Sequence, residues 1–240
     1  MSKDNLIQLK IPKVDCLHCR LSGICAAGNL GDDEAKQIDK AIIHMNPLKR
    51  GDYLFRQGDN FESLYIIRSG TIKSFISSED GEEQIVGFNF PGELLGLDAF
   101  DNGHHATSTK TLELVSLCKL SKQNFDRLSQ HCAHFHTQCL RVFSKELIHI
   151  QQTVMVMGQK DTEEKLACFL LGISARMKER GFSDKEFNLT MSRSEIANFL
   201  GIASETVSRL LTKLHDSGII QVERRMIRIQ SMDSLTAMSV

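Results

Sequence analysis

The chain has 240 residues, 41% apolar and 25% charged, and its 29 Lys and Arg against 30 Asp and Glu leave a formal net charge of −1. This is an ordinary globular composition with enough apolar material for a core, which excludes a disordered chain and a small disulfide-stapled scaffold. The balanced charge excludes a uniformly basic nucleic-acid coat but leaves room for a locally basic surface.

Residues 1–28 carry Cys16, Cys19 and Cys25 in the run C-L-H-C-R-L-S-G-I-C, with few patterned apolar residues around them. Three thiols this close in sequence can wrap one soft metal centre, because thiolates are the ligands of iron–sulfur clusters and of zinc. The segment reads as one organised by its ligand. His18 between two of the cysteines is a ligand candidate only for a zinc site. No signal-peptide core and no run of about 18 apolar residues are visible, so the expectation is a cytoplasmic protein with no membrane span. Disulfides are rare in that compartment, and seven cysteines there point to metal ligands plus buried thiols.

Turn signals recur from residue 47 to 120, at Gly51-Asp52, Gly58-Asp59, Ser69-Gly70, Asp80-Gly81, Pro91-Gly92 and Asn102-Gly103. Between them lie short apolar runs, which predicts an all-β barrel or roll, assigned to residues 29–134 as a sensory domain. The runs include Y-L-F, L-Y-I-I, T-I-K-S-F-I, Q-I-V-G-F and L-E-L-V-S-L-C-K-L. In the last run Leu112, Leu114, Ser116, Cys118 and Leu120 share one face by period-two alternation, so Cys118 leaves the sheet on a defined face.

Residues 135–160 switch to a helical period. Leu140, Phe143, Leu147, Ile150, Val154 and Met157 alternate spacings of three and four. Such a stripe fits a helix packed on its own barrel, but its narrowness favours the seam of a parallel homodimer. A second amphipathic helix follows over 161–180, with Asp161 as N-cap and Glu164 completing a capping box. Residues 161–240 form the last unit. Ser192 with Glu195 caps a short helix, Gly201 ends it, and Ser204 is expected to cap the next. Two short helices across a glycine turn make a helix-turn-helix. The second exposes Glu205, Ser208 and Arg209, the types that read base edges of double-stranded DNA in the major groove, with Ser204 at its start. After Gly218, two short strands around Arg224-Arg225 predict a wing with arginines suited to phosphate contacts. From 191 to 230 there are six Lys and Arg against four Asp and Glu, a modest excess that calls for two heads acting together. Cys132, Cys139 and Cys168 fall in helical stretches and read as buried small apolar residues.

Together these pieces resemble the CRP/FNR transcription regulators from end to end, and within them the branch with an oxygen-labile iron–sulfur cluster. The resemblance is carried by Cys16, Cys19, Cys25 and Cys118, by F-E-S-L-Y-I-I-R-S-G-T-I-K-S, and by S-E-T-V-S-R-L-L. It implies an α+β protein: a cluster-binding segment, a cyclic-nucleotide-binding-like β-roll, a long dimerisation helix and a C-terminal winged helix-turn-helix. It implies no enzymatic activity. It implies that the four thiolates hold a [4Fe-4S] cluster in a homodimer, and that oxygen converts the cluster to [2Fe-2S] and weakens the dimer. Glu205, Ser208 and Arg209 would read a TTGAT-type half-site, for activation or repression. RNA polymerase is the implied partner, and the acidic turn 77–83 lies where the family makes that contact. Arg20, next to Cys19, would face the buried dianionic cluster. Gly92 and Glu93 survive from the phosphate-binding turn of the nucleotide-sensing branch, but H-H-A-T-S downstream offers no arginine, which argues against a cyclic nucleotide. Two departures stand out: Ile150 lies where relatives carry an acidic residue, and Ser204 where they often carry an apolar one. Competing readings are an iron–sulfur electron carrier, which leaves the reading head unused, and a same-fold regulator with a zinc or thiol redox switch.

Overall fold

The computed structural model describes Cys16, Cys19, Leu21 and residues 32–239. Cys25, His18 and Arg20 lie outside the described residues. Helix α1 (Asp32–Ala41) leads into β1 (Ile42–His44), and a roll follows. Its strands are β2 (Ser63–Ser69), β3 (Ile72–Ser77), β4 (Glu83–Asn89), β5 (Leu94–Leu95), β6 (Ser108–Thr111) and β7 (Ser116–Ser121). They form two antiparallel sheets, ordered β1-β7-β2-β5 and β4-β3-β6. Helices α2 (Lys122–His131), α3 (Ala133–Gln159) and α4 (Thr162–Glu179) come next.

Period-two alternation divides the first sheet between two cores. Tyr65, Ile67 and Leu117 point into the roll, where they pack with Phe55, Ile72, Leu95 and Val115. Leu64, Ile66, Cys118 and Leu120 point the other way, into a cluster with Ile38, Phe125, Leu128, Phe135 and Cys139 of the three helices α1–α3. Each large apolar side chain buried there contributes about 1.5–3 kcal/mol.

The structure shortens the alternating run read from the sequence. Strand β7 begins only at Ser116; Leu114 is 64% exposed, and Leu112 is buried in a different cluster. The cause is a close backbone approach. A Cβ on Gly70 would lie 2.5 Å from the Leu114 carbonyl oxygen and 2.8 Å from Val115 Cγ2, and Gly70 has φ 86°. The chain at 112–115 therefore folds over Gly70 as a turn. Gly70→Ala is expected to destabilise the fold by about 2–4 kcal/mol, from left-handed strain plus overpacking, read as a lower urea midpoint. The Y-L-F run at 53–55 also forms no strand; Tyr53 makes a single bridge to Lys110.

The C-terminal unit holds β8 (Glu186–Asn188), α5 (Arg193–Leu200), α6 (Ser204–Asp216), β9 (Ile220–Glu223), β10 (Met226–Ile229) and α7 (Met232–Ala237). Its strands form the sheet β8-β10-β9. Its core runs without a break into the roll, since Ile85, Phe88 and Phe90 pack in one cluster with Phe169, Leu200 and Leu211. Polar clamps reinforce that junction. Asn198 of α5 donates to the Glu83 carbonyl at 2.8 Å and accepts from the Ile85 N–H at 2.6 Å. Arg176 of α4 makes two bonds to the Glu93 carboxylate, at 2.9 and 2.8 Å, and Arg180 adds another.

Candidate metal centre and nucleic-acid interface

Cys118 stands at the centre of the first sheet, with His44 of β1 as its cross-strand partner on one side and Ile66 of β2 on the other. It is 8% exposed. Cys16 packs against the same helix-side cluster as Cys118, and its backbone N–H donates to Asp39 Oδ1 of α1 at 3.0 Å. Cys19 is half-buried. Among the described residues no three His, Cys, Asp or Glu side chains group as a metal site. The donor types present, thiols on the same side of the first sheet, are those a soft metal centre takes, and Cys16 and Cys118 belong to one apolar cluster. The expected ligand Cys25 falls outside the described residues.

Two of the three other cysteines behave as the sequence suggests for small apolar residues, whereas Cys168 is only half-buried and its thiol donates to the Ser239 carbonyl at 3.7 Å. Cys132 and Cys139 are buried in the cluster that holds Cys118, and the Cys132 thiol lies 3.5 Å from Gln37 Oε1. Burial pushes the Cys168 thiol pKa up, so it resists forming a thiolate.

The reading head forms from local signals. Ser192 accepts from the Glu195 N–H while Glu195 reaches back to the Ser192 N–H, and Gly201 ends α5 at φ 64°. Burial raises the Glu195 pKa, but the hydrogen bonds from Ser192 and the charge of Lys73 outweigh it and hold the carboxyl below its usual range. Ser204 departs from expectation. The N-cap of α6 is Ala203, with no side-chain cap, and Ser204 is the first helical residue. Its carbonyl accepts from Ser208 Oγ at 3.1 Å. Val207, Leu210, Leu211 and Leu214 are buried, while Glu205, Ser208 and Arg209 are exposed on the opposite face. Strands β9 and β10 turn through Arg224, at φ 57°, and Arg225.

On α3, Leu140, Leu147, Ile150 and Val154 are 53%, 56%, 51% and 67% exposed. Phe143 and Met157 instead lean partly on this chain's own clusters. Ile148 and Met155 widen the exposed apolar face beyond the narrow stripe read from the sequence. A cleft of about 760 Å³ runs between β4, α3 and α4 and takes in Ile150, Val154 and Met157. At its polar end burial raises the Glu146 pKa, with Glu93 adding to the rise, and burial lowers that of His149, with Arg176 adding to the fall. Among the described residues no helix is long and apolar enough to cross a membrane.

Residues 45–132 match the family described as Cyclic nucleotide-binding domain, and residues 164–238 match Crp-like helix-turn-helix domain. The chain is 38% identical over 226 residues to the Fumarate and nitrate reduction regulatory protein of Escherichia coli K12, covering 94% of this chain and 90% of that protein. It is 38% identical over 229 residues to the Transcriptional activator protein anr of Pseudomonas aeruginosa, covering 95% and 94%. FixK2 from Bradyrhizobium japonicum superposes with a TM-score of 0.76 at 23% identity, covering 83% of this chain and 98% of that one, a likeness of fold.

Proposed function

The chain belongs to the CRP/FNR family of transcription regulators, which bind DNA and act as dimers rather than as enzymes, and within it we propose an oxygen-responsive regulator. Cys16, Cys19, Cys25 and Cys118 hold the sensing centre, a [4Fe-4S] cluster. When bound, the cluster supplies the oxygen-labile element, whose conversion to [2Fe-2S] weakens the dimer and its hold on DNA. The proteins similar to this chain include ones named for fumarate and nitrate reduction, which agrees with an anaerobic role. The protein acts in the cytoplasm, where thiols stay reduced.

One observation carries this reading. Cys118 and Cys16 share an apolar cluster with Phe135 and Cys139 of α3, and Val142 and Phe143 pack against it. Whatever anchors the N-terminal segment to Cys118 thereby braces the first turns of the helix whose exposed face offers the dimer seam. The test is the visible spectrum of anaerobically purified protein as air is admitted. A broad sulfur-to-iron band that decays into a new spectrum is expected. A colourless protein with bound zinc, or a band indifferent to air, would remove oxygen as the signal and leave a zinc or thiol switch on the same fold.

Two α6 helices of a dimer read a palindrome of TTGAT-type half-sites. Arg209 suits a bidentate grip on guanine, Glu205 accepts from cytosine, and Ser208 is permissive. With Ser204 inside the first turn and its side chain half-buried, it contacts the outermost base least. Arg209→Ala is expected to cost about 1–3 kcal/mol per half-site, and so about 2–6 kcal/mol per dimer, in specific binding alone. Titration of operator and scrambled duplexes at one salt concentration separates that loss from a loss of phosphate contacts.

RNA polymerase is the activation partner, met through the exposed turn between β3 and β4, where Glu79, Asp80 and Glu82 cluster. A cyclic nucleotide is not the signal. The Glu93 carboxylate is occupied by Arg176 and Arg180, and Asp98 takes up both His105 and Thr107, in the H-H-A-T-S stretch. An anionic phosphate in that turn would face carboxylates with no arginine to spare.

A further inference from the structure

The reading head meets the roll along a strand edge. Strand β4 is an outer strand of the sheet β4-β3-β6, and alternate backbone groups of it point away from β3. Two of these, the Glu83 carbonyl and the Ile85 N–H, meet one side chain of α5. The Asn198 amide donates to the first at 2.8 Å and accepts from the second at 2.6 Å. An amide is donor and acceptor at once, so it serves this pair as a neighbouring strand would. Gln84 adds a bond from Nε2 to the Asn198 carbonyl at 2.9 Å. Lys73 of β3, its side chain 10% exposed, bridges Glu83 at 3.3 Å and Glu195 of α5 at 3.4 Å.

These bonds do what the apolar contacts beside them cannot. Phe88 and Phe199 pack across the same junction, but apolar contact is non-directional and lets surfaces slide, whereas hydrogen bonds hold an angle. Glu93 holds α4 at one point through Arg176 and Arg180. Asn198 holds α5 at a second, and two points remove the rotation that one leaves free. Glu205, Ser208 and Arg209 stay exposed while the head is clamped, so the clamp leaves the reading face open. A dimer accepts two half-sites only at the separation and rotation at which its heads are held. We propose that Asn198 is a specificity-determining residue: by locking α5 to the edge of β4, it sets the half-site spacing that the dimer accepts. This inference rests on the reading above of a dimer that binds a palindrome.

The test titrates anaerobically purified full-length wild type, Asn198→Leu and Asn198→Asp with duplexes at one salt concentration. The duplexes are a palindrome of TTGAT-type half-sites, the same palindrome with one base pair added at its centre, a single half-site and a scrambled sequence. The added pair turns one half-site by about 35° against the other. Leucine is close to asparagine in size and is the better helix former, so α5 itself is not weakened. Asn198→Asp keeps the acceptor for the Ile85 N–H and sets a carboxylate against the Glu83 carbonyl; it carries the same comparison should Asn198→Leu fail to fold. Wild type is expected to prefer the unaltered palindrome. The variants are expected to lose about tenfold of that preference while single half-site affinity holds within about twofold. A preference unchanged or increased in the variants overturns the inference. An equal loss on the palindrome and the single half-site overturns it too, since that assigns Asn198 a role in the fold of the head. A wild type that binds both palindromes equally well overturns it and leaves the two-headed reader standing. A wild type that binds the palindrome no better than the single half-site takes away that reader and this inference with it.

Discussion

Cys118→Ala is expected to abolish the visible band and oxygen-controlled DNA binding together while leaving the fold intact. The substitution keeps Cβ and removes one buried sulfur from β7, so it costs about 1 kcal/mol of stability. The proposed centre, by contrast, would lose one of its four thiolates. Cys132→Ala and Cys139→Ala supply the control, because both cysteines are buried in the same apolar cluster as Cys118. They should cost similar stability and keep both the band and operator binding. Circular dichroism with anaerobic absorbance and gel-shift assays checks all three. Loss of colour in either control, with colour kept in Cys118→Ala, would reassign the ligand.

Ile150→Asp is expected to convert an anaerobic dimer into a monomer. Ile150 is 51% exposed on α3, flanked one turn away by Leu147 at 56% and Val154 at 67%. In a parallel pair equivalent seam positions face each other, so the change removes two apolar side chains from the interface and sets two carboxylates against one another. Because each Ile150 is already about half covered, the lost burial alone comes to about 1.5–3 kcal/mol, on the order of ten- to a hundredfold in the dimer dissociation constant. Sedimentation at several concentrations measures it. Protonation removes the repulsion, so association should partly recover as pH falls toward the carboxylate range near about 4. An unchanged dissociation constant would place the interface elsewhere than this face.

The legible parts of the chain were those with local causes. Asp161 with Glu164, and Ser192 with Glu195, form capping boxes within four residues of chain, and both are found. Gly201 and the Arg224-Arg225 turn depend only on backbone conformation next door, and they too stand where the spacing puts them. Ser204 misled because serine is a common N-cap, yet here Ala203 takes that place and α6 starts one residue earlier. The run from Leu112 to Leu120 misled for a different reason. Its alternation is broken by Gly70, 42 residues upstream of Leu112, and period two carries no record of a chain passing that close.

The sequence by itself determined the β-roll, the long helix and the reading head, because turn glycines, hydrophobic period and helix caps act within a few residues. It also singled out the clustered cysteines, whose spacing is itself the signal. Only the tertiary structure decided that Cys16 packs against the cluster that contains Cys118, that Asp39 accepts from its backbone N–H, and that the His44 ring meets both the Cys118 sulfur and Arg68. It alone joined the head to the roll through Asn198, Glu93, Arg176 and Arg180. Those contacts span about 20 to 115 positions of chain, and a polar residue's distant partner leaves no period or motif in the sequence around it.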